Sequence, residues 1–348
     1  MTLSDPSSTG VPADVAAFVA ALPKAELHVH LVGAASVPTV LELARRRPRS
    51  GVPTDEAALR EFYRFTDFAH FIDVYLAVNE LVRTGEDVEA LVVGLARDLA
   101  ANTVRYAEVT VTPYSHLLVG IPATDITAAL ENGRRRAADE HDVELGYVFD
   151  IPSLYGVESG IETARWVLDH APSGTVAFGL GGPEVGFPRV MFAEAFAMTR
   201  AAGLPAVPHA GETTGPESVW SALNDLGAVR IGHGINAVSD PRLVAHLAEH
   251  QIPLEVCPTS NLCTGAVPDL TDHPFPALRE AGVPVTINSD DPGMFATTLN
   301  REYEIAHAVF GLSTAELADL ARAAVHHSFA PDATKKRISA EIDGLAAG

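Results

Sequence analysis

Seven side chains able to bind a metal or move a proton stand at the ends of short apolar runs in this chain. His28 and His30 close AELHVH, His209 and Glu212 lie in HAGE, His233 in GHG, and Asp290 and Asp291 in NSDDP. A lone histidine on an apolar strand is more often a satisfied core residue than a ligand. His-x-His is different, because side chains along a strand alternate and both imidazoles project to one side. A further imidazole and a carboxylate from other strands complete an N3O donor set suited to zinc. Such an ion lowers the pKa of water from about 15.7 to about 7, so the implied chemistry is hydrolysis at neutral pH. His70, His116, His141, His170, His246, His250, His273, His307, His326 and His327 fall in helix-like or loop segments and are read as structural.

Positioning these groups requires elements that end at one common face. Eight β-branched, apolar runs occur near 25–29, 104–111, 144–151, 176–180, 206–210, 229–234, 252–256 and 283–289. Continuous apolar runs of this length suit a parallel sheet buried on both faces. Between them lie amphipathic stretches such as TDITAALENGRRRAADEH, SGIETARWVLDHA and DPRLVAHLAEH. Eight β-α units predict an α/β fold, a closed (β/α)8 TIM barrel, with an open doubly wound sheet as the competitor. In such a barrel the functional groups gather at the C-terminal strand ends. The segment from Pro48 to Thr103 (about 48–103) is expected to be a helical insertion after the first strand. Its aromatic-rich FYRFTDFAHFIDVY would form a lid over the site, or else pack as ordinary core. Ser313 and Glu316 form a capping-box pattern, and extra helices follow the last strand. The whole chain, 1–348, reads as one domain with a flexible N-terminus over residues 1–12.

Composition narrows the partners. The chain has 348 residues, 47% of them hydrophobic, and a formal net charge of −21. That balance argues against a nucleic-acid or anionic-membrane partner. Two cysteines do not make a disulfide framework. The N-terminal residues lack the pattern of a signal peptide, and no run is long enough to span a bilayer, so a cytoplasmic protein is expected. The composition is compatible with a monomer or an oligomer. No G-x-S-x-G, P-loop, H-E-x-x-H or G-x-G-x-x-G is found, nor the signature of the cytidine-type zinc deaminases. The Gly-rich GLGGPEVG at 179–186 lacks the Lys of a phosphate loop and reads as a strand-end turn.

PKAELHVHL, GGPE, HAGE, GHG, CPTSN and SDDP occur here in the order found in the adenosine deaminase family of the amidohydrolase superfamily. The resemblance spans roughly residues 20–340. It implies that His28, His30, His209 and Asp290 hold one zinc ion (Zn2+) per subunit. Glu212 would protonate N1 of a 6-aminopurine, Asp291 would contact N7, and the backbone of Gly182 would contact N3. His233 would orient the attacking water and assist its deprotonation, with Asp290 counted among the catalytic groups. The reaction implied is replacement of the 6-amino group by oxygen, releasing ammonia.

Three positions depart from that family's usual pattern. HLVG stands where HLDG is common, GGPE where AGDE is common, and EVTVTP where EVRYSP is common. Val32 thus replaces an aspartate that contacts the ribose 5′-hydroxyl in adenosine deaminases. An apolar wall gives no reward for a free hydroxyl. HLVG resembles the subgroup that deaminates aminodeoxyfutalosine in menaquinone biosynthesis, whose substrate carries an aryl tail at C5′. Phe65, Phe68, Phe71 and Tyr75 would pack on that tail, with Arg64 or Arg189 as partner for its carboxylate. Adenosine, deoxyadenosine, adenine and 5′-methylthioadenosine are the alternatives.

Overall fold

The computed structural model describes residues 10–346. The expected flexible terminus therefore lies mostly outside the described residues. A short helix α1 (Ala13–Ala21) precedes strand β1 (Lys24–His30), and four helices follow it: α2 (Val37–Arg46), α3 (Glu56–Phe62), α4 (Phe68–Asn79) and α5 (Gly85–Ala101). Next come β2 (Val104–Val111), α6 (Pro113–Leu118), α7 (Ala123–His141), β3 (Glu144–Pro152) and α8 (Gly156–His170). The middle continues with β4 (Thr175–Gly181), α9 (Ala193–Ala201), β5 (Ala206–Ala210), α10 (Pro216–Asn224), β6 (Ile231–His233) and α11 (Pro241–Glu249). Then follow β7 (Leu254–Val256), α12 (Pro258–Cys263), α13 (Phe275–Glu280) and β8 (Val285–Ile287). The chain finishes with α14 (Pro292–Phe295), α15 (Leu299–Ala308), α16 (Thr314–His327) and α17 (Asp332–Ala346).

All strand pairs are parallel and run in sequence order from β1 to β8. Closure between β8 and β1 is made by Asp290, whose N–H donates to His28 O at 3.0 Å while its C=O accepts from His30 N at 2.9 Å. The expected closed (β/α)8 barrel is therefore present, and the open sheet is not. β6, β7 and β8 are shorter than the apolar runs that marked them, three residues each.

The segment after β1 differs from the expectation. α5 packs against β2 and α7 and so belongs to the outer ring of the barrel. An amphipathic helix has the same apolar stripe whether it covers a barrel or a pocket, so pattern alone did not separate the two. The inserted lid is limited to the stretch before α5. Asp55, Asp67 and Thr84 cap α3, α4 and α5 by accepting backbone N–H bonds, which punctuates the insertion. At the far end, α16 packs on β1 and β8, α17 packs on α16, and the Ser313–Glu316 capping box is formed. Both cysteines are free thiols, Cys257 buried. Among the described residues no helix is long and apolar enough to cross a membrane.

Candidate active site

His28, His30, His209 and Asp290 converge at the C-terminal mouth of the barrel, with one donor atom from each within 4.8 Å of the others. All four are at least nearly buried. His30 Nε2 and His209 Nε2 are 3.1 Å apart, and Asp290 Oδ1 lies 3.3 Å from both His28 Nε2 and His30 Nε2. Ligand atoms at bond lengths of about 2.0–2.1 Å around a tetrahedral ion are spaced by about 3.3 Å. His28 Nε2 and Asp290 Oδ1 are buried with no hydrogen-bond partner. Buried polar atoms left unsatisfied in one spot need an explanation, and a shared cation supplies it. The N3O donor set therefore fits a metal ion.

The ligands are held by second partners. His28 Nδ1 donates to Glu255 Oε2 at 2.8 Å, leaving Nε2 for the ion. Glu255 in turn accepts from Arg230, which also donates to Glu108 and, at the end of α16, to His327 O; Glu255, Arg230 and Glu108 are all buried. Asp290 Oδ2 accepts from Ser260 Oγ at 2.6 Å. Asp290 and His233 have backbone φ of 63° and 59°, a left-handed conformation that costs non-glycine residues about 1–3 kcal/mol. The strain sits where strand backbone must turn while its side chain faces the centre.

Glu212 and His233 stand beside the ligands. His233 Nε2 lies 3.7 Å from both Glu212 Oε2 and Asp290 Oδ2. Burial, reinforced by the negative charges of Asp290 and Glu184, pushes the Glu212 carboxyl well above its ordinary range. Burial and the Asp290 charge act likewise on Asp291. Asp291 also needs Gly33: a Cβ there would fall 1.6 Å from Asp291 Oδ1. Burial lowers the His233 pKa to about 4, so its ring is neutral at pH 7.

A cavity that is open to solvent leads out from this centre, with about 730 Å3 of free space counting its solvent-facing mouth. His30, His209, Glu212, His233, Asp290 and Asp291 line its polar end, and Gly182 (φ 84°) and Pro183 line a side. Phe68, Phe71, Ile72, Tyr75 and Leu76, on one face of α4, close it from the lid side, with Leu154 and Tyr155 opposite. Of the aromatic residues expected in the lid, Phe68, Phe71 and Tyr75 line the cavity. Phe65 is set behind them, packed edge-on against Phe71 and Phe295 at 5.4 and 5.7 Å.

Three further residues singled out in the sequence lie off the cavity lining. Val32 is buried and is not among the residues that line the cavity. Arg189 is buried and donates to His209 O, Pro183 O and Phe187 O, so its guanidinium is committed to backbone. Arg64 is exposed and pairs with Glu61 at 3.1 Å. Neither arginine faces the cavity.

Sequence reasoning passed over several residues. Glu184 of GGPE is buried and accepts N–H bonds from Gly211, Glu212 and Thr213, each at 2.8 Å, besides hydroxyls of Thr214 and Ser218. It therefore shapes the loop that carries Glu212. Asp150, at the end of β3, lines the cavity and accepts from Thr112 Oγ1 at 2.6 Å. Burial raises its pKa to about 7. Glu255 sat inside an apolar run, IPLEV, where an isolated acid was the only signal.

A parallel eight-stranded barrel with three histidines and an aspartate at its C-terminal mouth defines a metal-dependent hydrolase of the amidohydrolase type. The chain matches the adenosine deaminase family over residues 23–345. It belongs to that family, and is a hydrolytic deaminase. It is 55% identical over 332 residues to an aminodeoxyfutalosine deaminase from Streptomyces avermitilis, covering 95% of this chain and 93% of that one. An adenine deaminase from Arthrobacter aurescens superposes with a TM-score of 0.90 at 31% identity, covering 94% of this chain and all of that one, 100%. An amidohydrolase from Burkholderia ambifaria, solved with bound Zn, superposes with a TM-score of 0.89 at 28% identity, covering 99% and 96%.

Proposed function

We propose that the chain is a zinc-dependent aminodeoxyfutalosine deaminase, converting the 6-aminopurine to the 6-oxopurine with release of ammonia. The 55% identity to a protein of that activity, along nearly the whole of both chains, carries the substrate assignment. The cavity supports it: its reacting end is polar, and its lid end presents the apolar face of α4 to an aryl tail. The N3O donor set and the zinc in the Burkholderia relative support zinc as the ion.

When bound, zinc lowers the pKa of water to about 7 and so makes the nucleophile available at neutral pH. The purine lies with N1 at Glu212. Glu212, held protonated by burial, donates to N1 and stabilises the charge that develops as the oxygen adds to C6. Asp291, protonated for the same reason, donates to N7. The Gly182 backbone lies along N3. His233 and Asp290 face the attacking oxygen, whose proton passes to Asp290. That proton then goes to the departing nitrogen as the C6–N bond breaks. The hydroxyl proton left on the new C6 oxygen returns to Glu212, and N1 keeps the one it received.

An ultraviolet deamination assay over aminodeoxyfutalosine, adenosine, 5′-methylthioadenosine and adenine tests the assignment. Aminodeoxyfutalosine is expected to be best; adenosine or adenine within about tenfold in kcat/KM would overturn the 5′-extended substrate. The adenine deaminase neighbour makes free adenine the second reading, decided by the same assay.

A further inference from the structure

His233 is tied to one tautomer by a hydrogen-bond chain that begins outside the cavity. The backbone N–H of Phe275, the first residue of α13, donates to His273 Nδ1 at 3.0 Å. A ring nitrogen that accepts this bond carries no proton, so the His273 proton resides on Nε2. Nε2 lies 3.2 Å from Asn261 Oδ1 and donates to it. That contact orients the amide: Asn261 Nδ2 faces His233 Nδ1 at 3.2 Å and donates to it. His233 Nδ1 is therefore an acceptor, and the single proton of the neutral ring lies on Nε2. This is the nitrogen directed at Glu212 and Asp290. His273, Asn261 and His233 are all buried, which makes each of these bonds costly to lose.

We propose that Asn261 and His273 are positioning residues that hold His233 as an Nε2–H donor. His233 then gives a hydrogen bond to the oxygen attacking C6 and does not take its proton. The proton acceptor is Asp290, as in the function proposed above; what the hydrogen-bond chain adds is the fixed tautomer of His233. The identity of that oxygen rests on the deaminase reading above; the tautomer does not.

Two measurements on the zinc-loaded protein test this. Long-range 1H–15N NMR of [15N]histidine-labelled protein, with His233 assigned by substitution, is expected to show a protonated Nε2 and a bare Nδ1. The reverse pattern would overturn the proposal whatever the substrate proves to be. Asn261→Asp inverts the last link, since a carboxylate only accepts and draws the proton to His233 Nδ1. We expect kcat to fall about 10²–10⁴-fold with KM and zinc content retained. If His233 were the base, an Asp–His pair would keep or raise kcat, and that result also overturns the proposal. Absence of aminopurine turnover by the wild type would end the functional reading and leave the NMR pattern to decide the tautomer.

Discussion

Glu255 Oε2 accepts the His28 Nδ1 proton at 2.8 Å, although the two residues are far apart in sequence. The bond fixes which ring nitrogen is free for the ion and raises its basicity. Glu255→Gln is expected to weaken metal affinity by about 10–100-fold, read by competition with a chromogenic chelator. Saturating zinc should restore most of kcat. Unchanged affinity would remove the role given to this carboxylate.

Glu212 has its acid form favoured by burial next to Asp290 and Glu184. Glu212→Gln should keep metal content and ligand affinity while kcat falls by about 10²–10⁴-fold. Turnover near the wild-type rate would contradict proton donation to N1.

Glu184 supplies a pH signature. Burial opposes its ionisation, but the Ser218 hydroxyl, the Arg189 charge and the Thr214 and Thr213 donors outweigh it. They hold the carboxyl at about 2, against an ordinary value of 4.5. A depressed folded pKa means stability that is fully present above about pH 4.5 and is lost as pH falls toward 2. Its size is on the order of 3 kcal/mol. In Glu184→Gln the melting temperature should drop at neutral pH, and its gap to the wild type should narrow through that acidic window. A gap independent of pH would show that ionisation of Glu184 is not what stabilises the loop.

Phe68 lines the lid end of the cavity, away from the reacting groups. Phe68→Ala should raise KM for aminodeoxyfutalosine by about 10-fold or more, as lost burial of a large side chain implies, while leaving kcat/KM for adenine nearly unchanged. An equal loss on both compounds would place the effect in folding and not in recognition of the tail.

The barrel and its ligands were legible because both are written locally. Apolar runs of strand length mark β1 to β8, and His28, His30, His209 and Asp290 end such runs or follow them directly. What was hidden depends on pairs distant in sequence. Glu184 looked like part of a glycine-rich turn until its carboxylate was seen gathering the backbone of Gly211 to Thr213. His273 was read as structural, and only its bond to Asn261 connects it to His233. Arg189 misled in the opposite sense, because a free cation and one enclosed by carbonyls have the same letter. α5 was assigned to the lid because neighbours, and not periodicity, decide which surface a helix covers.

Arg230 joins Glu255, the partner of His28, to Glu108 and to His327 O, and Glu108 also accepts the Phe329 backbone N–H. The support of the first ligand in the chain is thus completed by residues close to its C-terminus. During synthesis the His28–His30 pair leaves the ribosome long before Asp290, and Asp290 before Phe329. A nascent chain stalled ahead of Phe329 contains its candidate ligands without the contacts that complete the support of His28. A chain that stops ahead of His327 should therefore be poor in metal even though it contains all four ligands.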